Sequence, residues 1–294
     1  LTANASVTFG DGATGNISVA GNVVANDAVD FGDGNDVGTV DITGSLTSSA
    51  DVTFGPGAPA NAGSVTIGNN LTANAGTVDA KNVTGAVPQL EVSGDVAINA
   101  DPAATTLDIS GITVDLLGDF ERQGDPNAIL TTTTASTLRF DGQGDAILSP
   151  GSKFDINGNL VIDKGEDTLT LTEAIAVLGD VEIATPSSPG VPNNEFRLED
   201  NLFLTDGSAA TFTVNSNLTT AGTAFIIVDG SGSKSFERTV TPAQIAELPT
   251  LPNLRVTGGG GAQNVQVTTD LEFNNTIELI DGGIEINGSS DFSP

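Results

Sequence analysis

Five oxygen-bearing side chains crowd one short stretch, DFGDGNDVGTVD: Asp30, Asp33, Asn35, Asp36 and Asp41. Carboxylate and amide oxygens on a glycine-bent loop are the hard ligands that Ca²⁺ takes. The stretch therefore reads as a candidate for one calcium site, against the simpler reading of a solvated Asp/Gly turn. The 38 Asp and Glu residues could also pair for glycoside hydrolysis. Sugar sites, however, use Trp or Tyr as ring platforms, and the chain has neither. It also lacks His and Cys. That removes imidazole acid–base chemistry, Ser–His and thiol nucleophiles, disulfides and Cys-ligated metals. The expectation is a protein that is not an enzyme and carries no cofactor other than the candidate calcium.

GDGNDVG resembles one unit of the calcium-binding nonapeptide repeat, which needs tandem copies because successive turns share each ion. The neighbouring FGDGATGN and FGPGAPAN lose the second acid. A chain-long array is thereby excluded, and a single site is what stays open. The net charge of -29 repels nucleic acid and anionic membranes, and the nine basic residues form no patch that would reverse it. No stretch approaches the ~20 apolar residues of a membrane span.

The elements that must position these side chains come from a repeat. An apolar–x–Gly–Asx–apolar signature, with some substitutions, starts at Val19, Ile42, Ile67, Val92 and Leu116. It returns at Ile156, Val177, Leu198, Val214 and Val267. The first five starts are almost evenly spaced, and the later ones are not: long gaps follow Leu116 and Val214, and a short one follows Leu198. Phe9, Phe31 and Phe54 keep a period matching the even part, in VTFGDG, VDFGDG and VTFGPG. Between these marks lie short segments of period two, such as SVTFG, SVTIG, TLRFD and TFTVN, closed by Gly, Asn or Asp. A unit of about 23 residues with two or three such strands cannot bury its apolar side alone; stacked units can.

The fold class expected is all-β: a right-handed parallel β-solenoid with coils of about 22–25 residues, loop insertions and one short helix. Like residues of successive coils would lie ~4.8 Å apart. Phe9, Phe31 and Phe54 would stack inside, the corner Asn residues would ladder through their amides, and the preceding glycines would supply positive φ. Asp95 and Asp119 would stack as like charges, relieved by a cation or by splaying. Residues 1–119 read as regular coils and 120–240 as coils with inserted loops, at Arg122–Ser136 and Thr185–Asn194. TVTPAQIAELPTLP reads as a helix or connector over 241–253, with Thr241 as N-cap, Pro242 at the first helical position and Pro249 as stop. Residues 254–294 read as terminal coils.

Units close to the pattern xVxGNLT, such as IGNNLT from Ile67, and the passage NLRVTGGGGAQNVQVTTDLEFNNTIELIDGGIEING from Asn253 resemble repeat segments of large bacterial cell-surface proteins. These are secreted β-helix adhesins, filamentous-haemagglutinin-like and autotransporter passengers, and long Bacteroidota surface proteins. The resemblance implies a β-helical fold at the cell surface and no catalytic residue. The chain starts without Met and reads as a mature or partial polypeptide, with both ends uncapped. The expected function is a structural protein of the cell exterior that polymerises with itself through its solenoid ends into a filament, sheath or surface layer. The alternative is an adhesin stalk that contacts a receptor or glycan through its loops, and the third reading is a β-helical polysaccharide-active enzyme.

Overall fold

The computed structural model describes residues 1–9, 15–32, 37–55, 62–100, 103–123, 126–151, 154–185, 194–205, 210–230, 234–239, 250–258, 264–269, 271–273, 276–280 and 283–286. Among them the chain is all-β and its strand ladders are parallel, forming a β-solenoid of three strands per turn. No helix occurs among the described residues, and Thr241–Pro249, where one was expected, lies outside them. Thr250–Leu251, at the end of that connector, is a strand paired with Glu272–Phe273. The chain divides into two compact units, Leu1–Arg139 and Phe140–Pro294.

In the first unit each turn lays one strand into each of three sheets. Thr2, Val24, Thr47, Thr72, Ala97 and Glu121 face one another in the first row, each one turn after the last. Val7–Phe9, Val29–Phe31, Val52–Phe54, Gly76–Asp79, Thr105–Asp108 and Ala128–Thr131 make the second row. The third runs from Ile17–Val19 to Thr137–Asp141.

The reason for strands this short is the alternation. In a three-residue strand the outer two side chains point inward and the middle one outward. Val29–Asp30–Phe31 and Leu46–Thr47–Ser48 both follow it, buried at each end and half-buried in the middle. The ring centroids of Phe9 and Phe31 lie 5.1 Å apart with planes 8° from parallel, and Phe31 and Phe54 repeat this at 5.1 Å and 12°. The expected aromatic ladder is present; such offset contacts contribute ~1 kcal/mol each beyond burial.

In the second unit the same construction holds, with Ile147, Thr170, Arg197 and Thr219 aligned in one row. The turn between Thr170 and Arg197 is longer than its neighbours, because the passage from Val181–Ile183 to Glu195–Leu198 carries the added segment 184–194. Two lysines sit in this interior. Lys164 is fully buried and donates from Nζ to the carbonyl of Asp141 at 3.0 Å; Lys234 does the same to Thr205 at 3.2 Å.

Candidate functional site

Asn and Asp side chains at the corners hold one turn to the next. Asn16 Oδ1 accepts the backbone N–H of Thr39 at 3.0 Å, and Asn22 Oδ1 that of Ser45 at 3.0 Å. Asn70 Oδ1 accepts from Asp95 at 3.1 Å, and Asp95 Oδ1 from Asp119 at 3.0 Å. In the second unit Asn159 serves Asp180 at 2.9 Å and Asp180 serves Thr211 at 2.7 Å. In each of these bonds the acceptor belongs to the earlier turn and the donor to the later one. Other turn-to-turn bonds run the opposite way, as where the Gly21 N–H donates to Thr43 Oγ1 at 2.8 Å and the Gly144 N–H to Asp167 Oδ2 at 2.5 Å.

The glycine before the donor completes the device. A Cβ on Gly38 would overlap Asn16 Oδ1, one on Gly44 would overlap Asn22 Oδ1, and one on Gly94 would overlap Asn70 Oδ1. Gly118 meets Asp95 and Gly179 meets Asn159 in the same way. None of these five has a positive φ. At these five the expectation that corner glycines supply a left-handed bend is corrected, because the Asx oxygen of the previous turn occupies the Cβ position; at Gly21, with φ +107, it holds. The expected amide ladder is likewise replaced at this corner by side-chain-to-backbone bonds. Amide ladders do occur elsewhere, between Asn26 and Asn4 at 2.8 Å and between Asn99 and Asn74 at 3.1 Å. The Asp95 carboxylate, expected to need relief from Asp119, receives the Asp119 N–H and faces the Asn70 amide at 3.5 Å.

The corner signature also explains its own irregular spacing. From Val19 to Leu116 it marks the passage from the third row to the first. At Ile156 and Val177 it marks the passage from the second row to the third, and at Leu198 from the first to the second. The long gap after Leu116 hides a corner at Phe140–Ala146, FDGQGDA, which is longer than the signature. What read as an inserted loop at Arg122–Ser136 contains the regular strand Ala128–Thr131, and Arg122 points inward, donating to the carbonyl of Ala128 at 2.8 Å. Of the Thr185–Asn194 stretch, residues 186–193 lie outside the described residues. Asn194 itself is buried and donates to the carbonyls of Ile162 and Ala184.

Of the candidate calcium ligands, Asp33, Asn35 and Asp36 lie outside the described residues. Asp30 sits at the outward middle of a second-row strand between Thr8 and Thr53, and Asp41 in a third-row strand between Ser18 and Thr66. The two are thus in different sheets. Among the described residues no three His, Cys, Asp or Glu side chains gather as a metal site.

One charged cluster went unread in the sequence. Asp79 and Asp108 are register partners, and Lys81 Nζ lies 2.5 Å from the first and 3.5 Å from the second. The hydrogen bond to Asp79 holds the Lys81 pKa above its ordinary value; partial burial opposes this, and the charges of Asp79 and Asp108 add to it. The register step between the two acids is longer than the local period, so spacing alone gave no sign of it.

The strands Thr2–Ala3, Val7–Phe9 and Ile17–Val19 are the outer members of their sheets among the described residues. Val7, Phe9, Ile17 and Val19 are only half-buried, whereas their register partners Val29, Phe31, Val40 and Ile42 are completely buried. In the second unit, Leu279 and Ile280 are 54% and 67% exposed at the outer strand Ile277–Leu279. Comparison with protein-family models, with curated proteins and with solved structures finds no match to the chain.

Proposed function

We propose that the chain is a non-enzymatic structural protein of the cell exterior, and that copies associate by continuing the β-solenoid from one molecule into the next as a filament, sheath or surface layer. The observation that carries this is the stacking itself: parallel ladders in which each turn pairs with the next over one buried apolar column, so that a turn is a template for another. An outer strand is a template for pairing, and burial of the apolar column supplies the driving force. The chemistry-bearing side chains favour the same reading, since the Asn and Asp oxygens at the corners are engaged in turn-to-turn bonds. An exterior location is supported by the acidic composition and by the resemblance to bacterial surface repeats.

A stalk that displays adhesive loops is the competing reading. Ile129 favours it, pointing outward and 40% exposed on the strand Ala128–Thr131. Sedimentation of the purified chain across a hundredfold range of concentration separates the two. Self-assembly gives species that grow with concentration, and a stalk stays monomeric throughout.

A further inference from the structure

In three successive turns of the first unit the outward faces differ in charge. The second row carries Asp30, Thr53 and Asp79 in one outward column, and the third row carries Asp41, Thr66 and Glu91. In the same turns the first row carries Val24, Thr47 and Thr72. The corner residues on either side of these three are Asn22 and Asn26, Ser45 and Ser49, Asn70 and Asn74. Acids return at the rim, as at Asp27 and Asp95. The result is a polar face without charge in a chain whose net charge is -29. Its side chains are tied along the stack. Asn22 Oδ1 accepts the Ser45 N–H at 3.0 Å, and Ser45 Oγ accepts the Asn70 N–H at 3.4 Å. On the other flank the Asn26 amide donates to Asn4 at 2.8 Å and the Asn99 amide to Asn74 at 3.1 Å. Side chains held in this way lose little rotamer freedom when a partner docks. The face points sideways from the stack, so a further turn at either end would leave it uncovered.

We infer that this face is a lateral docking surface for the same face of a second copy, and that it joins solenoid filaments side by side into a sheet or sheath. The inference rests on the self-assembly reading and adds the contact between neighbouring filaments. Charge selects the occupant first. Two chains of this net charge repel one another through the acids of the second and third rows, and meet without that penalty through the first. Spacing selects it again: both copies repeat at the interstrand distance of about 4.8 Å, so the two faces match turn for turn, as paired identical faces do in cross-β zippers. Asn amides and Ser and Thr hydroxyls each donate and accept, which makes the face complementary to itself, as a two-fold contact requires. One face is small, but a filament presents one per copy and the contacts act together.

The test compares Thr47→Lys with Thr53→Lys in the full chain, by thermal melting, sedimentation and electron microscopy at one salt concentration. Both substitutions change the net charge equally, so a difference between them reports the face. Thr72→Lys gives a second reading of the same face should Thr47→Lys melt low. Filaments of the wild type and of Thr53→Lys are expected to lie side by side. In Thr47→Lys and Thr72→Lys the share of paired filaments is expected to fall tenfold or more. Wild-type filaments that stay single, or lateral pairing unchanged in both first-row variants, would overturn the face and leave the self-assembly reading standing. Wild-type dimers that Thr47→Lys abolishes, with no filaments at any concentration, would support the face and overturn the filament. A wild-type chain that stays monomeric would overturn both. Retention on insoluble cellulose that Thr47→Lys abolishes, with lateral pairing unchanged, would give the face to a neutral glycan and overturn the second copy as its occupant.

Discussion

Asn16 and Gly38 form a single interlocking pair across two turns: the Asn16 Oδ1 atom stands where a Cβ on Gly38 would be, and it accepts the neighbouring N–H of Thr39 at 3.0 Å. Of the corner pairs this is the one in which the Asn side chain alone makes the close approach, the nearest atom outside it being the Gly15 carbonyl oxygen at 3.6 Å. Gly38→Ala should therefore destabilise the fold by about 1–3 kcal/mol through overpacking. Asn16→Ala should cost about 1 kcal/mol through its lost hydrogen bond. The double variant should be clearly more stable than the sum predicts, since removing the Asn side chain makes room for the methyl group. Denaturant melts of the four chains measure the coupling, and strict additivity would contradict the interlock.

Phe31 has a ring on each side of it in the stack, whereas Phe9 and Phe54 each have one. Phe31→Ala should cost about 3–5 kcal/mol, the usual range for a fully buried ring. Phe31→Leu keeps most of the apolar volume and should cost less. Equal losses for the two variants would show that retained apolar volume at this position does not stabilise the stack.

Lys81 bridges the stacked carboxylates of Asp79 and Asp108, and its pKa is raised above the ordinary 10.5. A cation with a raised pKa in the folded state contributes stability that is complete below the unfolded value and is lost as pH climbs through the folded one. The melting temperature of the wild type should therefore exceed that of Lys81→Gln at mildly alkaline pH, and the gap should close above the raised value. The side chain is 44% exposed, so molar salt should narrow the gap as well. A gap that persists unchanged to the most alkaline pH the fold survives would place the effect in packing and not in charge.

Much of the fold was legible in the sequence because a solenoid repeats its physics at each turn. The period of Phe9, Phe31 and Phe54 gave the aromatic stack, and the alternation in SVTFG and TFTVN gave the short strands. What the sequence hid follows from the same economy. A Gly–Asx pair marks a corner without saying which of three corners it is, so the signature at Ile156 and Val177 looked like a continuation of the one at Leu116. The extra length of FDGQGDA was enough to conceal a corner and to make a regular strand look like part of a loop. The Gly–Asx pair was also read within one turn, as a bend, although Gly38, Gly44, Gly94, Gly118 and Gly179 answer to the Asx of the turn before. That relation is visible in the sequence once the period is known: Asn16 stands one period before Gly38, Asn70 before Gly94 and Asp95 before Gly118. Lys81 had no such signal, because its two acids meet only through a longer turn.

The most direct test of the central claim is electron microscopy of the purified chain at micromolar concentration, with salt or millimolar calcium present to screen the net charge of -29. Self-assembly by continuing the solenoid from copy to copy predicts filaments, or sheets built from them, with a layer repeat of about 4.8 Å in averaged images or diffraction. A field of separate single particles at every concentration and salt condition would contradict it.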